Sequence, residues 1–417
     1  MTTTTPVASD LAAAPGAGVI IPAAPAALNL AALQPALTQL RAVESEIQTT
    51  LVERDEPVHM AILSLLMAEH IVMLGMPGTA KSKLITGLAR RVSPPSGGGL
   101  RKFIYLMTKF TTPEEIFGPI SVINLKKDDY RRVTHKKFTE AELVFLDEIF
   151  KANSAILNSL LRGMNEREFE NGFDTINIPL ISLFGASNEM PQGEDLAAIW
   201  DRFLIRLFVE YVSDSGFTKL LEMYAAAAEP FAQATITQED LVRLQAAVDR
   251  IEFGSTAGGM IEQLRRELKA KGVIVSDRRW GQSIKALRAQ ALFDGRPAVN
   301  EDDLMILKHT IWSAPEQITE IGKMVARLGN PLNARAVELG DQAADVFKQA
   351  MDAQTGSGSD AEKMNTAIEA VAKIKRIKTD LNALLEQARA QVRATGKIEQ
   401  ALAQINDQHR QLAALVI

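Results

Sequence analysis

Ile71-Val72-Met73-Leu74-Gly75-Met76-Pro77-Gly78-Thr79-Ala80-Lys81-Ser82 is the stretch whose reading decides the fold. Its first four residues are apolar and read as a buried strand. A turn carrying Gly75, Pro77 and Gly78 comes next, and Lys81-Ser82 opens a helix-compatible run from Lys83 to Arg91. Strand, glycine-bearing loop and helix start together make a phosphate-binding loop, in which backbone N–H groups and the helix N-terminus converge on phosphate oxygens. In that reading the loop Gly75, Met76, Pro77, Gly78, Thr79 and Ala80 cradles a nucleotide. Lys81 places a charge on its outer phosphates, and the Ser82 hydroxyl takes one position on Mg²⁺. Ala80 stands where a second glycine is usual, and its methyl is tolerated if the backbone there is already helical. The plainer reading is a loop that merely turns a strand into a helix.

Outward from this loop the chain alternates. Apolar stretches at Phe103–Met107, Leu143–Leu146, Ile181–Gly185 and Leu204–Tyr211 read as strands, with helices at Lys83–Arg91 and Ala152–Asn165. That pattern predicts an α/β fold with a mostly parallel sheet covered on both faces, its ligand at the carboxyl ends of the strands. Upstream, Leu37, Leu40, Val43, Ile47 and Leu51 recur at helical spacing, and Pro57 starts a second helix, His59 to His70. Downstream of Gly216 the strand signals fade. Helices at Thr237–Ile251, Gly258–Lys271, Arg279–Phe293 and Asp302–Trp312 predict a small helical domain. A stripe from Met364 through Ile368, Val371, Ile374, Ile377, Leu381, Leu384 and Ala388 to Val392 suits a helical hairpin or short coiled coil, or a helix packed on its own domain. It lies beyond the flexible link Thr355-Gly-Ser-Gly-Ser-Asp360. The expected division is a disordered Thr/Ala/Pro-rich extension over 1–28, a nucleotide-binding domain over 29–215, a helical lid over 216–320 and a helical segment over 321–417.

Composition narrows the function. With 47% hydrophobic and 23% charged residues the chain has the make-up of a soluble protein, and no apolar run reaches the length of a membrane span. A net charge of −5 argues against a constitutive nucleic-acid clamp, which would carry a basic surplus. The absence of cysteine excludes disulfides, thiolate chemistry and Cys-ligated zinc. The expected compartment is the cytoplasm.

Three further motifs carry chemistry. Leu143-Val144-Phe145-Leu146-Asp147-Glu148 is an apolar strand ending in two acids. Asp147 suits Mg²⁺, and Glu148 suits the orientation and deprotonation of an attacking water. Phe184-Gly185-Ala186-Ser187-Asn188 ends another strand in an amide, either a sensor of the terminal phosphate or a turn residue. Arg202, in Asp201-Arg202-Phe203, and Arg278 or its neighbour Arg279, in Val275-Ser276-Asp277-Arg278-Arg279-Trp280, could match phosphate geometry or pair with a neighbouring Asp.

These motifs resemble those of AAA+ ATPases of the MoxR group, most of all its RavA subfamily. The likeness rests on residues 75–82, Phe-Thr-Thr-Pro-Glu-Glu-Ile-Phe-Gly-Pro (110–119), 143–153, 155–167, 185–191, 201–207 and 275–280, and it spans roughly residues 35 to 320. Alanine before the loop lysine is usual in that group. The resemblance implies an αβα core with a helical lid, assembled as a ring, commonly a hexamer, that hydrolyses ATP with Mg²⁺. It implies Lys81 and Ser82 as Walker A, Asp147 and Glu148 as Walker B, Asn188 as sensor 1, Arg202 as an arginine finger reaching the neighbouring subunit, and Arg278 as sensor 2. Members act as chaperone-like remodellers of a protein client, often with a von Willebrand factor A domain partner. An insert within Lys109 to His135 is a further implied feature and a surface for partners. After the lid this chain has only helical sequence, without the β-containing domain that some relatives use to dock a decarboxylase. A DNA motor of the helicase type is the alternative, because replicative helicases share the arrangement.

Overall fold

The computed structural model describes residues 28–95, 97–226, 233–355, 359–391, 393 and 395–414. The extension expected over 1–28 lies outside the described residues apart from Leu28, as do residues 356–358 of the link and Val392 of the tail stripe.

Helices α1 (Leu30–Thr49) and α2 (Asp55–Met67) lead into β1 (Ile71–Leu74). After α3 (Lys81–Ala89), the short β2 (Val92–Ser93) and β3 (Lys102–Leu106) come two short helices, α4 (Pro113–Phe117) and α5 (Val122–Leu125). Next are β4 (Leu143–Asp147), α6 (Ser154–Asn165), a hairpin of β5 (Glu168–Asn171) and β6 (Asp174–Asn177), β7 (Ser182–Ser187), α7 (Glu194–Arg202) and β8 (Ile205–Phe208). The helical part comprises α8 (Asp214–Ala225), β9 (Ile236–Thr237), α9 (Gln238–Val248), α10 (Ser255–Ala270), α11 (Asp277–Phe293) and α12 (Ile318–Gly329). The tail comprises α13 (Pro331–Thr355), α14 (Asp360–Ala390) and α15 (Gly396–Ala413).

Five strands form one parallel sheet in the order β3-β4-β7-β1-β8. β1 and β7 are buried at every position, as continuous apolar runs demand when helices cover both faces. The order has a direct consequence. β7 lies between β1 and β4, so the turn at its carboxyl end stands between the turns that leave β1 and β4. The phosphate loop and the acidic pair are thereby set on either side of Asn188.

Several elements begin or end differently from the sequence reading, β8 (expected over Leu204–Tyr211), α2 and the segment after α11 among them. α2 starts at Asp55, ahead of Pro57, because proline in a first turn forfeits an N–H that has no helical partner anyway. It stops at Met67, where Ala68 turns left-handed at φ 53° and Glu69 N–H donates back to Ser64 O at 3.0 Å. The segment expected as a helix over Asp302–Trp312 is a 3₁₀ run, Asp302–His309. One contiguous apolar core joins α1, the sheet and the helical part as far as α12. A second core, with Leu339, Ile374, Leu381, Ile398, Ile405 and Leu412, holds the tail together. There α13 and α14 form a hairpin that α15 joins as a third helix. Ile374, Leu381 and Ala388 of the expected stripe are buried, whereas Met364 and Ile368 stay exposed.

Candidate functional site

The phosphate loop is held open by its own backbone. Gly75 sits at φ 136°, donates its N–H to Ser187 O at 3.1 Å, and leaves no room for a side chain, since a Cβ would come 2.1 Å from Val209 O. Ala80 caps α3 at φ 65° rather than in the helical conformation that its methyl would prefer. Left-handed backbone at a non-glycine residue costs about 1–2 kcal/mol, so this alanine is a strained residue, not a helical one. Lys81 Nζ donates to Gly75 O at 2.7 Å and to Met76 O at 3.3 Å. Burial lowers the pKa of its ammonium, and the charges of Asp147 and Glu148 act in the opposite direction. Both acids therefore lie within the field of the loop lysine.

Asp147 closes β4 and accepts the N–H of Glu148 on Oδ1 at 3.1 Å. Glu148 is left-handed at φ 53°, a second strained residue that turns its side chain at the sheet edge. Asn188 Nδ2 donates to Glu148 Oε1 at 2.7 Å. Lys151 Nζ stands 3.3 Å from Oε2, a charge contact without hydrogen-bond geometry. Residues far apart in the chain, from Gly75 to Asn188, are thus brought to one edge of the sheet. The donor chemistry there fits Mg²⁺: the exposed Ser82 hydroxyl and the half-buried Asp147 carboxylate are hard oxygen ligands. Bound there, the ion would neutralise charge on the phosphates.

The two arginine pairs divide cleanly. Arg279 is buried and donates to Thr310 O at 2.7 Å, Phe203 O at 3.1 Å and Asp201 O at 3.1 Å, with Asp201 Oδ1 at 3.3 Å. Arg206 donates to Trp200 O at 3.0 Å and to Trp312 O, and lies 4.2 Å over the Trp200 ring. Burial pulls its guanidinium down to about 8. These two staple the lid to β8. Arg202 and Arg278 instead line one open cleft with Arg167, Asn165, Gln282 and Glu69. Arg278 reaches only Asn165 Oδ1, at 3.4 Å, and Arg202 makes no hydrogen bond or ion pair among the described residues. Asp201 pairs with Arg279, not with Arg202.

That cleft is at the wrong end of the sheet for its own phosphate loop. It adjoins Ala68 to His70 and Arg202, which precede β1 and β8, whereas the loop leaves the far end of β1. Four strand residues, at about 3.3 Å each, separate the two edges by roughly 13 Å.

Arg54 is a further buried residue at the site, and no sequence motif marks it. Its guanidinium donates to Glu53 O and Glu210 O, each at 2.7 Å, and to Thr79 O at 3.3 Å. It ties the phosphate loop to the segment after β8. A basic residue between two helices carries no signal of this in sequence.

Comparison with known proteins identifies the family. A sequence model of the MoxR domain in MoxR–vWA–beta-propeller ternary systems matches residues 38–246, half of the chain. The chain belongs to the MoxR family of AAA+ ATPases. A model of the AAA lid domain matches residues 258–325 of this MoxR-family chain. It is 36% identical over 302 residues to an uncharacterized protein of Methanocaldococcus jannaschii, covering 72% of this chain and 78% of that one. A second uncharacterized protein of that organism is 32% identical over 372 residues, covering 88% and 95%. Chaperone MoxR1 of Mycobacterium tuberculosis is 27% identical over 209 residues, 48% of this chain and 52% of its own length. The crystal structure of a candidate ATPase from Cytophaga hutchinsonii shares the fold, with TM-score 0.57 at 18% identity, covering 72% of this chain and 96% of that one. None of these relatives carries the RavA name.

Proposed function

We propose that this MoxR-family chain hydrolyses ATP with Mg²⁺ as a ring of subunits, six in the family's common form, and uses the cycle to remodel a protein client in the cytoplasm. A von Willebrand factor A domain protein is the expected partner, a reading supported by the description of the matched family. The observation that carries the proposal is a site divided between the two edges of one sheet. Lys81, Asp147, Glu148 and Asn188 stand at the carboxyl edge, and Arg202, unpaired among the described residues, stands with Arg278 at the amino edge.

At the carboxyl edge, Lys81 would exchange its carbonyl partners for phosphate oxygens, and Ser82 and Asp147 would hold Mg²⁺. Glu148 takes the proton of the attacking water, with Asn188 fixing the carboxylate. Arg202 and Arg278 of one subunit then meet the terminal phosphate bound by the next, where their charge stabilises the transition state. The proposed roles thus assign Arg278 to the neighbour's nucleotide too, and Arg279 to the fold.

The test is Glu148→Gln. Nucleotide and Mg²⁺ affinity should persist while turnover falls by about 10²-fold or more, the usual contribution of a general base. Unchanged turnover would remove Glu148 from the role.

A further inference from the structure

A second cleft, of about 840 Å³, opens beside the phosphate loop. Small-molecule sites have volumes of this order. Its walls include Arg54, just ahead of α2, and Phe208, Val209 and Tyr211 at the end of β8. Two of these also touch the loop. Arg54 donates to Thr79 O at 3.3 Å, and Val209 O is the atom against which Gly75 packs. β8 flanks β1 on the side away from β7. Asn188 and the two acids stand on the β7 side, where the terminal phosphate belongs in the proposed site. The base and sugar of the same nucleotide therefore extend to the β8 side, where the exposed rings of Phe208 and Tyr211 offer aromatic faces.

No motif marks the rest of the wall. The lid contributes Lys308, His309 and Trp312, and the tail contributes Lys397, at the start of α15. Two ties hold the tail there. Arg393, between α14 and α15, donates to Gly329 O at 3.0 Å and pairs with Glu301. Asn330, between α12 and α13, donates from Nδ2 to Asp302 Oδ1 at 2.7 Å. Glu301 and Asp302 open the 3₁₀ run whose other end is Lys308-His309. The tail is thus bound to the element that walls the cleft.

The cations around the cleft differ in what they already hold. Arg54 is taken by the carbonyls of Glu53, Thr79 and Glu210, and Arg206 by those of Trp200 and Trp312. Lys308 and His309 both contact Glu56. Lys397 reaches the neutral amide oxygen of Gln400 at 3.3 Å. Among the described residues it forms no ion pair, although Asp55 and Glu210 line the same cleft. An uncommitted ammonium on a backbone tied in place can take a ligand's negative charge without first giving up a partner.

We infer that Lys397 is a nucleotide-binding residue supplied by the tail, with Arg393 as its positioning residue. Phosphates are the anionic part of a nucleotide, so Lys397 acts on them from the tail side of the cleft while Lys81 acts from the loop. This role rests on the reading of the chain as an ATPase and deepens it, because the tail becomes part of the nucleotide site.

Calorimetric titration of the full-length chain with ADP and Mg²⁺ tests the role apart from turnover. Lys397→Ala should weaken ADP about tenfold, the contribution of one charge-assisted hydrogen bond, and Lys397→Glu should weaken it further. Lys397→Arg keeps the charge and should stay within about threefold of the parent. At saturating ATP, turnover of Lys397→Ala should stay within about twofold of the parent while KM rises, since the lysine binds substrate and transition state alike. Arg393→Ala should weaken ADP too, and combining it with Lys397→Ala should cost no more than Lys397→Ala alone. ADP affinity indifferent to the charge at this position would overturn the role of Lys397, and losses that add in the double variant would overturn that of Arg393. A parent chain that binds no ADP would instead overturn the ATPase reading, and this role with it.

Discussion

Asn188 Nδ2 donates to Glu148 Oε1 at 2.7 Å, a bond that joins the end of β7 to the turn after β4. The carboxylate's other oxygen faces Lys151 at 3.3 Å, so the proposed base is held from both sides. The two contacts differ in kind. One is a short hydrogen bond that fixes the carboxylate plane; the other is an ion pair to a lysine that is 44% exposed.

Substitutions at the two positions should separate accordingly. Asn188→Ala should lower turnover about tenfold or more while leaving nucleotide affinity within about twofold, because it disorients the group that handles the proton. Lys151→Ala should change turnover by less than about threefold, since exposed ion pairs contribute little. Steady-state rates beside nucleotide titrations decide it, and equal losses from both would mean that Lys151 also positions the base.

The neighbouring arginines of α11 should part in the same way. Arg279→Ala strands the carbonyls of Thr310, Phe203 and Asp201 in a buried site and should destabilise the chain by about 3 kcal/mol or more. Arg278→Ala, in the open cleft, should leave unfolding within about 0.5 kcal/mol yet lower turnover. Denaturant melts and ATPase rates of the two variants read this out. A stable, inactive Arg279→Ala with an active Arg278→Ala would reverse the roles.

Burial explains both the legible and the hidden parts of the fold and site. β1, β4 and β7 are legible because a strand buried on both faces must be apolar throughout, and no other element here writes that pattern so briefly. Lys81, Asp147, Glu148 and Asn188 are legible because each ends such a strand or lies just past its loop. The β5–β6 hairpin is not, since Glu168 to Asn177 is half-exposed and polar, with its pairing set by Gly172 and by contacts to a distant segment. Nor does sequence separate Arg202 from Arg206 or Arg278 from Arg279. All four share one residue type, and only burial distinguishes those that hold carbonyls from those left open. Ala80 departs from its expected helical backbone for a similar reason, because a left-handed alanine looks like a helical one in sequence.

His70 gives the chain a pH dependence of definite sign. Its Nδ1 accepts Leu183 N–H at 3.0 Å, and its Nε2 lies 2.7 Å from Arg167 Nη1 and 3.1 Å from Met164 O. Burial, with the charge of Arg167 beside it, lowers its pKa to about 3. The unfolded chain, with an ordinary value near 6.5, then binds the extra proton first. Stability contributed by neutral His70 is present above pH ~6.5 and lost progressively toward pH ~3, at about 1.4 kcal/mol per unit. His70→Asn keeps an acceptor for Leu183 N–H without a titrating ring. The variant should be less stable at neutral pH but should lose less stability than the parent between pH 7 and 5. Urea melts at the two pH values check this; parallel losses would place the acid sensitivity elsewhere.

Arg202 provides the most discriminating test of assembly. Because it stands at the amino edge of the sheet, roughly 13 Å of strand from its own phosphate loop, it can act on a nucleotide only if that nucleotide belongs to another subunit. Arg202→Ala should therefore lose most turnover, up to about 10³- to 10⁵-fold by analogy with arginine fingers in other phosphoryl-transfer systems, while each subunit still binds ATP. Lys81→Ala should lose the pocket but keep the finger. When the two variants are mixed, an interface where a Lys81→Ala subunit offers Arg202 to the intact pocket of an Arg202→Ala subunit completes one site, and part of the activity should return. Mass measurement of the mixture establishes that hetero-assemblies form. Hetero-assemblies without recovered turnover would count against a finger acting between subunits. In the structure Asp201 contacts Arg279, at 3.3 Å, and not Arg202.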